Sequence, residues 1–179
     1  MVWSICTYFR GVSLVLKPLT AIVVLWLGMA GALSAQDRGE LGSRVEWSDI
    51  KLLDGRVLRA EDLRGRVVVI QMWASWCPFC ALQNPHIQKL ADANRERGLL
   101  VLAVSIDRTE QAARDYLKKN GYTFDVAMQT PQFEQWLGKR RALPETFVVD
   151  ASGKVVFSQR GEMFGDDIGA LARFAAGPL

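Results

Sequence analysis

The chain has 179 residues, half of them hydrophobic, and a formal charge of +3. That is the length of one domain with enough apolar side chain for a real core. Two of the cations, Arg10 and Lys17, lie in the first thirty-five residues, and without them the charge is about +1, which argues against a nucleic-acid binder.

Arg10 and Lys17 precede a run of apolar and small residues, Leu19–Leu33, which closes on Ala32-Leu33-Ser34-Ala35. A positive flank, an apolar centre and small residues at the end make a secretory leader, cut most simply after Ala35. Counted from Leu19 the run is short of the roughly 20 residues of a full membrane span. Counted back past Lys17 to Gly11 it is long enough for a retained anchor, so residues 1–35 read as a signal peptide or an N-terminal membrane anchor. Either way the positive flank comes first, which sends the remainder out of the cytoplasm. Cys6 lies inside this leader. Residues 36–44 are polar and aperiodic and read as a flexible tether to a domain over 45–179.

Val45–Leu53 alternates in part, Asp54-Gly55 is a strong turn signal, and Arg56–Arg59 returns, which predicts a hairpin. Ala60–Arg64 reads as a short helical turn ended by Gly65. Val67–Trp73 is apolar on both faces, as a strand covered by helices on each side must be. Cys77-Pro78-Phe79-Cys80 follows, and then a helix over Ala81–Arg97, with Ile87, Leu90 and Ala91 inward and a kink at Pro85. Leu99–Ile106 is a second buried strand. Asp107 and Thr109 are both capable of capping the next helix, about Glu110–Lys119, which Asn120-Gly121 stops. Phe124–Met128 is a short strand, and Thr130-Pro131 opens a short helix through Trp136-Leu137. Thr146–Asp150 and Val155–Gln159 form a hairpin, and Asp166–Ala176 a final helix with acids at its start. Alternating strands and helices closed by a hairpin define an α/β three-layer sandwich with a mixed sheet.

The two cysteines therefore sit where a buried strand becomes a helix. Pro78 suits the first helical position, which puts Cys77 at or just before the helix start and Cys80 one turn in, facing inward. Free N–H groups and the positive dipole end stabilise a thiolate on Cys77, and the thiolate is the attacking species in disulfide exchange. Cys80 is the resolving thiol. A closed structural staple this small constrains the unfolded chain little in the loop-entropy account. A closed zinc site needs more Cys or His ligands than His86, the single histidine, can add, and haem attachment needs a histidine where Ala81 stands. No metal and no cofactor is implied.

With Trp73-Ala74-Ser75-Trp76 ahead of the cysteines, Pro85 behind them, and Leu143-Pro144-Glu145-Thr146-Phe147-Val148-Val149-Asp150 later, residues from about Val45 to Ala176 resemble the thioredoxin-fold thiol–disulfide oxidoreductases, and among these the bacterial TlpA/ResA/CcmG group. The resemblance implies a thioredoxin-like α/β/α sandwich with an N-terminal β-hairpin extension. It implies a cis Leu143–Pro144 bond across from the dithiol, and a substrate groove bordered by Trp76, Leu143, Pro144 and Glu145. It also implies client proteins with disulfides or thiols, and an upstream membrane redox donor. Copper sites of the Sco type space their cysteines more widely. Two positions depart from the resemblance: Gln71 stands where thioredoxins place a buried aspartate, and Gln83 where the group often has a glutamate. A glutamine hydrogen-bonds but does not titrate, so the proton acceptor for Cys80 is unassigned among water, Glu145 and Lys139. Lys139-Arg140-Arg141 reads as a solvated loop or as a positive rim for substrate. Trp73, Trp76 and Trp136 read as mostly core, His86 as a surface helix residue, and Glu145 as an exposed strand-end acid or a functional group. Three functions fit: a periplasmic reductase or interchange enzyme for cytochrome c or copper-site cysteines, a dithiol oxidase of the same fold, and a non-catalytic copper-handling thiol module.

Overall fold

A computed structural model describes residues 41–95 and 97–176. The leader, residues 1–35, and the first part of the tether lie outside them. Five strands form one sheet in the order β5-β4-β3-β6-β7. They are β3 (Val67–Trp73), β4 (Leu99–Ser105), β5 (Asp125–Met128), β6 (Glu145–Val149) and β7 (Val155–Arg160). Strands β3, β4 and β5 are parallel, while β6 is antiparallel to both of its neighbours. A separate antiparallel pair, β1 (Ile50–Lys51) and β2 (Val57–Leu58), precedes the sheet.

Alternation along β3 divides the core. Val67, Val69 and Trp73 enter one cluster with Ile87, Leu90, Ala113 and Ile168. Val68, Ile70 and Met72 enter the other with Trp47, Leu63, Phe133 and Trp136. Helices α2 (Pro78–Asn94), α3 (Glu110–Asn120) and α5 (Gly165–Ala170) thus cover one face. The hairpin, α1 (Ala60–Leu63) and α4 (Pro131–Leu137) cover the other, which completes the three layers.

Several elements differ from their expectation. Only two residues on each side of the N-terminal hairpin pair with each other. Beyond them Leu52 N–H still donates to Arg56 O at 2.9 Å across the hairpin, while Leu52 and Leu53, both buried, also reach the main sheet. Leu52 bridges Ala127 at the β5 edge and Leu53 N–H donates to Val126 O at 2.7 Å. At the other end of the segment, Val45 N–H donates to Gly153 O at 2.8 Å. Helix α2 begins at Pro78, ahead of Ala81, and runs through Pro85. The final helix is α-helical only to Ala170 and continues as a 3₁₀ helix over Leu171–Ala176. Thr109 alone caps α3, its hydroxyl accepting from Ala112 N–H at 3.3 Å. Gly121 ends that helix with φ +69°, a left-handed conformation glycine adopts without a Cβ penalty. Among the described residues no helix is long and apolar enough to cross a membrane.

Candidate active site

The carboxyl end of β3 delivers Trp73 into the core, fully buried, and the chain then turns through Ala74, Ser75 and Trp76. Cys77 N–H donates to Ala74 O at 3.2 Å, which closes that turn. Cys77 is the N-cap of α2 with extended backbone, and Pro78 occupies the first helical position. At this N-terminus the helical N–H groups lack carbonyl partners. One of them, Cys80 N–H, donates to Cys77 Sγ at 3.1 Å. A hydrogen bond and a dipole aimed at sulfur both favour negative charge there. Cys77 and Cys80 are joined as a disulfide with Cα atoms 5.2 Å apart. Cys77 keeps 4% exposure and Cys80 none, so of the two residues only Cys77 reaches the surface.

Asp107, just past β4, braces the turn that leads to the cysteines rather than capping α3. Its carboxylate is buried and accepts from Ser75 Oγ at 2.7 Å, from Ser75 N–H at 3.0 Å and from Ser105 Oγ at 2.8 Å. It also lines an open polar cleft of about 370 Å³ together with Ser105, Gln129, Glu134 and Arg140.

Below the dithiol lies a buried network of amides. Gln71 and Gln83, the two departures noted in the sequence, are both fully buried and meet there. Gln83 Nε2 donates to Gln71 Oε1 and to Thr146 Oγ1, each at 3.1 Å, and Gln83 Oε1 accepts from Met163 N–H at 2.7 Å. Gln71 Nε2 in turn donates to Asn84 Oδ1 at 2.7 Å, and Asn84 Nδ2 to Tyr116 Oη at 3.4 Å. The network ties β3, β6, α2, α3 and the segment before α5 together. None of its amides can take up a proton near neutral pH.

Leu143–Pro144 is cis. Met72 pairs with Glu145 and Gln71 with Thr146, so one further step of the register sets Pro144 across from Trp73, at the dithiol end of the sheet. Pro144 O accepts from Gly161 N–H at 2.9 Å. Glu145 is not the exposed strand-end acid expected. It is the first residue of β6, 4% exposed, with Oε1 taken by Arg160 Nε and Oε2 by Arg141 N–H, each at 3.3 Å. It is buried because it shares the sheet face of Phe147 and Val149, and Arg160 lies directly opposite on β7. Lys139, Arg140 and Arg141 are exposed, with Arg140 Nη1 donating to Gln129 Oε1 at 2.6 Å. Trp76 is exposed beside Cys77, whereas Trp73 and Trp136 are core. His86, expected at the surface, is half-buried, and Gly165 lies so close that a Cβ there would come within 2.6 Å of its Nδ1.

A mixed sheet with a dithiol capping the helix after its central strand, and a cis-proline loop on the neighbouring strand, defines a thioredoxin-fold thiol–disulfide oxidoreductase. More particularly, the chain belongs to the Redoxin family, which matches residues 41–171. It is 26% identical over 132 residues to the thiol-disulfide oxidoreductase ResA of Bacillus thuringiensis (strain Al Hakam), covering 74% of this chain and 76% of that protein. The crystal structure of a Chlorobium tepidum thiol:disulfide interchange protein described as DsbE is also similar, at 26% identity and TM-score 0.65, over 76% of this chain and 96% of that one. A second structure from Chlorobium tepidum TLS, a thioredoxin-family thiol:disulfide interchange protein, shares the fold at TM-score 0.69 and 23% identity, over 76% of this chain and 97% of that one. These relatives place the chain with the TlpA/ResA/CcmG-like proteins, as its motifs suggest.

Proposed function

We propose that this protein is an exported, periplasmic reductase or interchange enzyme that acts on disulfides of client proteins, with Cys77 as nucleophile and Cys80 as resolving thiol. Residues 1–35 carry the export signal or anchor. In the reduced state the Cys77 thiolate attacks one sulfur of the client disulfide. A mixed disulfide forms, and the other client sulfur leaves as a thiolate. Cys80, as a thiolate, then attacks Cys77 Sγ, which releases the second client thiolate and leaves the Cys77–Cys80 disulfide. A dithiol donor, assigned to the membrane, returns the two electrons. Cytochrome c or copper-site cysteines are the proposed clients.

The observation that carries this reading is the hydrogen bond from Cys80 N–H to Cys77 Sγ. It aims the free end of α2 at the sulfur of the residue that reaches the surface, which supports different roles for the two cysteines. Trp76 and the Leu143-Pro144-Glu145 strand entry are proposed to border the client. The test is trapping. Cys80→Ala should accumulate mixed disulfides with exported proteins, Cys77→Ser should accumulate none, and insulin reduction should need both thiols. A reduction potential between about −270 and −200 mV would agree with a reductase, whereas one near −120 mV would overturn that direction in favour of the oxidase.

A further inference from the structure

The open cleft of about 370 Å³ beside Asp107 has no role in the exchange between the two cysteines. It lies outside the carboxyl ends of two parallel strands, with Ser105 closing β4 and Gln129 following β5. Open α/β sheets hold their ligands in such crevices, and the volume falls within the range of about 300–1,000 Å³ that takes a small molecule. Its wall carries both signs of charge, Asp107 and Glu134 against Arg140. Among the described residues no ion pair joins Arg140 to either carboxylate. The Gln129 amide stands between Arg140 and Glu134 instead. Its Oε1 accepts from Arg140 Nη1 at 2.6 Å and its Nε2 donates to Glu134 Oε1 at 2.8 Å. Asp107 is buried, and the donors that reach it from Ser75 and Ser105 are all uncharged. A buried carboxylate without a counter-charge is costly.

The amide shows what the gap between Arg140 and Glu134 accepts: an acceptor on one side, a donor on the other, one carbon between them. An α-amino-acid head has the same order with full charges, a carboxylate and an ammonium on one carbon. Charge-assisted hydrogen bonds are roughly twice as strong as neutral ones, and an ammonium has donors enough for Glu134 and Asp107 together. A phosphate or a dicarboxylate would face two carboxylates. A plain amine would leave Arg140 unanswered. We propose that the cleft holds the zwitterionic head of a small-thiol disulfide, and that such disulfides are a second class of substrate. This rests on the function proposed above. Asp107 ties the cleft to the nucleophile, because it accepts from the N–H of Ser75, and from Ser75 to Cys77 the chain spans at most about 7 Å. The head then stands about two residue-lengths from the reacting sulfur, as a γ-glutamyl group does on cysteine. The Cys77 thiolate attacks the sulfur of the half so held, and the other half leaves as a thiolate that takes a proton from water. Cys80, as a thiolate, attacks Cys77 Sγ and releases the held half as a second thiolate. Two electrons pass from the dithiol to the small disulfide, which leaves the Cys77–Cys80 disulfide for a dithiol donor to restore.

The experiment uses the full chain with dithiothreitol as donor, the uncatalysed rate subtracted. Three substrates share one Cys-Gly disulfide: glutathione disulfide, an analogue with glutaryl in place of γ-glutamyl, which lacks the ammonium, and one with 4-aminobutyryl, which lacks the carboxylate. The wild type should favour glutathione disulfide over each analogue by at least about tenfold in kcat/KM, the scale of one lost charge-assisted bond. Glu134→Gln should lose most of the preference over the glutaryl analogue and keep the other. Arg140→Gln should lose most of the preference over the 4-aminobutyryl analogue and keep the first. Each variant thus controls for the folding of the other. A wild type that turns over the three alike would overturn the proposal, and so would a variant that keeps both preferences or loses both. Wild-type turnover of hydroxyethyl disulfide, which has no head group, tests the oxidoreductase reading by itself, so the two failures are told apart.

Discussion

Replacing Gln83 by glutamate tests whether the space beneath the dithiol is sealed from water. Gln83 is fully buried and holds three partners: Gln71 Oε1, Thr146 Oγ1 and Met163 N–H. The introduced carboxyl fits almost unchanged while it is protonated, its O–H donating to Gln71 and its carbonyl accepting from Met163. Once ionised it donates nothing, so Gln71 must turn its amide to donate to it, and Asn84 must turn in response. Thr146 can donate by rotating its hydroxyl. Every bond can be remade, and the remaining cost is that of a buried charge. Full burial disfavours a carboxylate by about 4–7 kcal/mol, and good donors return about 3 kcal/mol. Burial wins by about 1–4 kcal/mol. The folded state then holds its proton more tightly than the unfolded one, whose glutamate titrates near 4.3. Stability is intact below that pH and falls as pH rises toward the folded-state value, at up to about 1.4 kcal/mol per pH unit. Urea unfolding of the oxidised Gln83→Glu variant should therefore fall behind the wild type by about 1–4 kcal/mol between pH 4 and pH 8, out of a total of about 5–15 kcal/mol. Parallel pH profiles would refute the sealed network, because a solvated glutamate would not care. A variant that gains stability with pH would refute the ranking of burial over hydrogen bonding.

Asp107→Ala leaves Ser75 N–H and the Ser105 hydroxyl without their acceptor beside the cysteine turn, and should cost about 2–4 kcal/mol in denaturant unfolding. Asp107→Asn keeps one acceptor oxygen and the same volume and should cost visibly less; losses equal to those of Asp107→Ala would refute the expectation that one remaining acceptor holds the turn. Asp150, in the β6–β7 turn, is resisted by its partial burial, yet hydrogen bonds from Ser152 Oγ, Lys154 N–H and Ser152 N–H hold its carboxyl below the usual carboxylate range. A lowered pKa contributes stability above the unfolded value of about 3.9 that is lost as pH falls through the folded one. Asp150→Asn can accept the same three bonds without a charge, so its acid limb should be shallower than the wild type's in unfolding followed from pH 6 to pH 2. Superimposable limbs would assign the acid sensitivity elsewhere.

The strand–helix alternation and the place of the dithiol were legible in the residues, because each is a local signal: an apolar run, a proline at the first helical position. The cis Leu143–Pro144 bond was implied only by the family resemblance, since no local signal distinguishes a cis from a trans proline at a strand entry. What was not legible depends on register between distant strands. Asp107 and Ser75 are 32 residues apart and meet only because β3 and β4 pair Trp73 with Ser105. The sequence shows two capable caps for α3 and nothing to say that one is needed elsewhere. Glu145 was closer to reach. Alternation with Phe147 and Val149 puts it on a core face, and Arg160 at the end of β7 is the cation that makes burial tolerable. A strand that starts at Thr146 leaves Glu145 in the preceding loop, where alternation assigns it no face.

The two departures at Gln71 and Gln83 also decide which side chains the start of α2 leaves outside, because Gln83 and Asn84 are buried there while Phe79 and Leu82 are exposed. Periodicity from Ile87 and Leu90 already points position 83 inward, since it lies four residues before the first of them. Hydrophobicity alone would have sent Leu82 inward instead. The structure follows the period, because an inward amide can be satisfied by Gln71, Thr146 and Met163 in a pocket where three elements converge. A buried carboxylate in the same place would carry the cost worked out above, whereas amides meet the polar backbone and side chains around them without charge. With the amides inside, the outward positions of the first two turns fall to Phe79, Ala81, Leu82 and Pro85. That exposure is unfavourable for an isolated domain, by about 25 cal/mol for each Å² left in water. It is offset only when something covers it. The neutral network and the apolar side chains thus lie on opposite sides of the same helix, and the placement of the first decides the placement of the second.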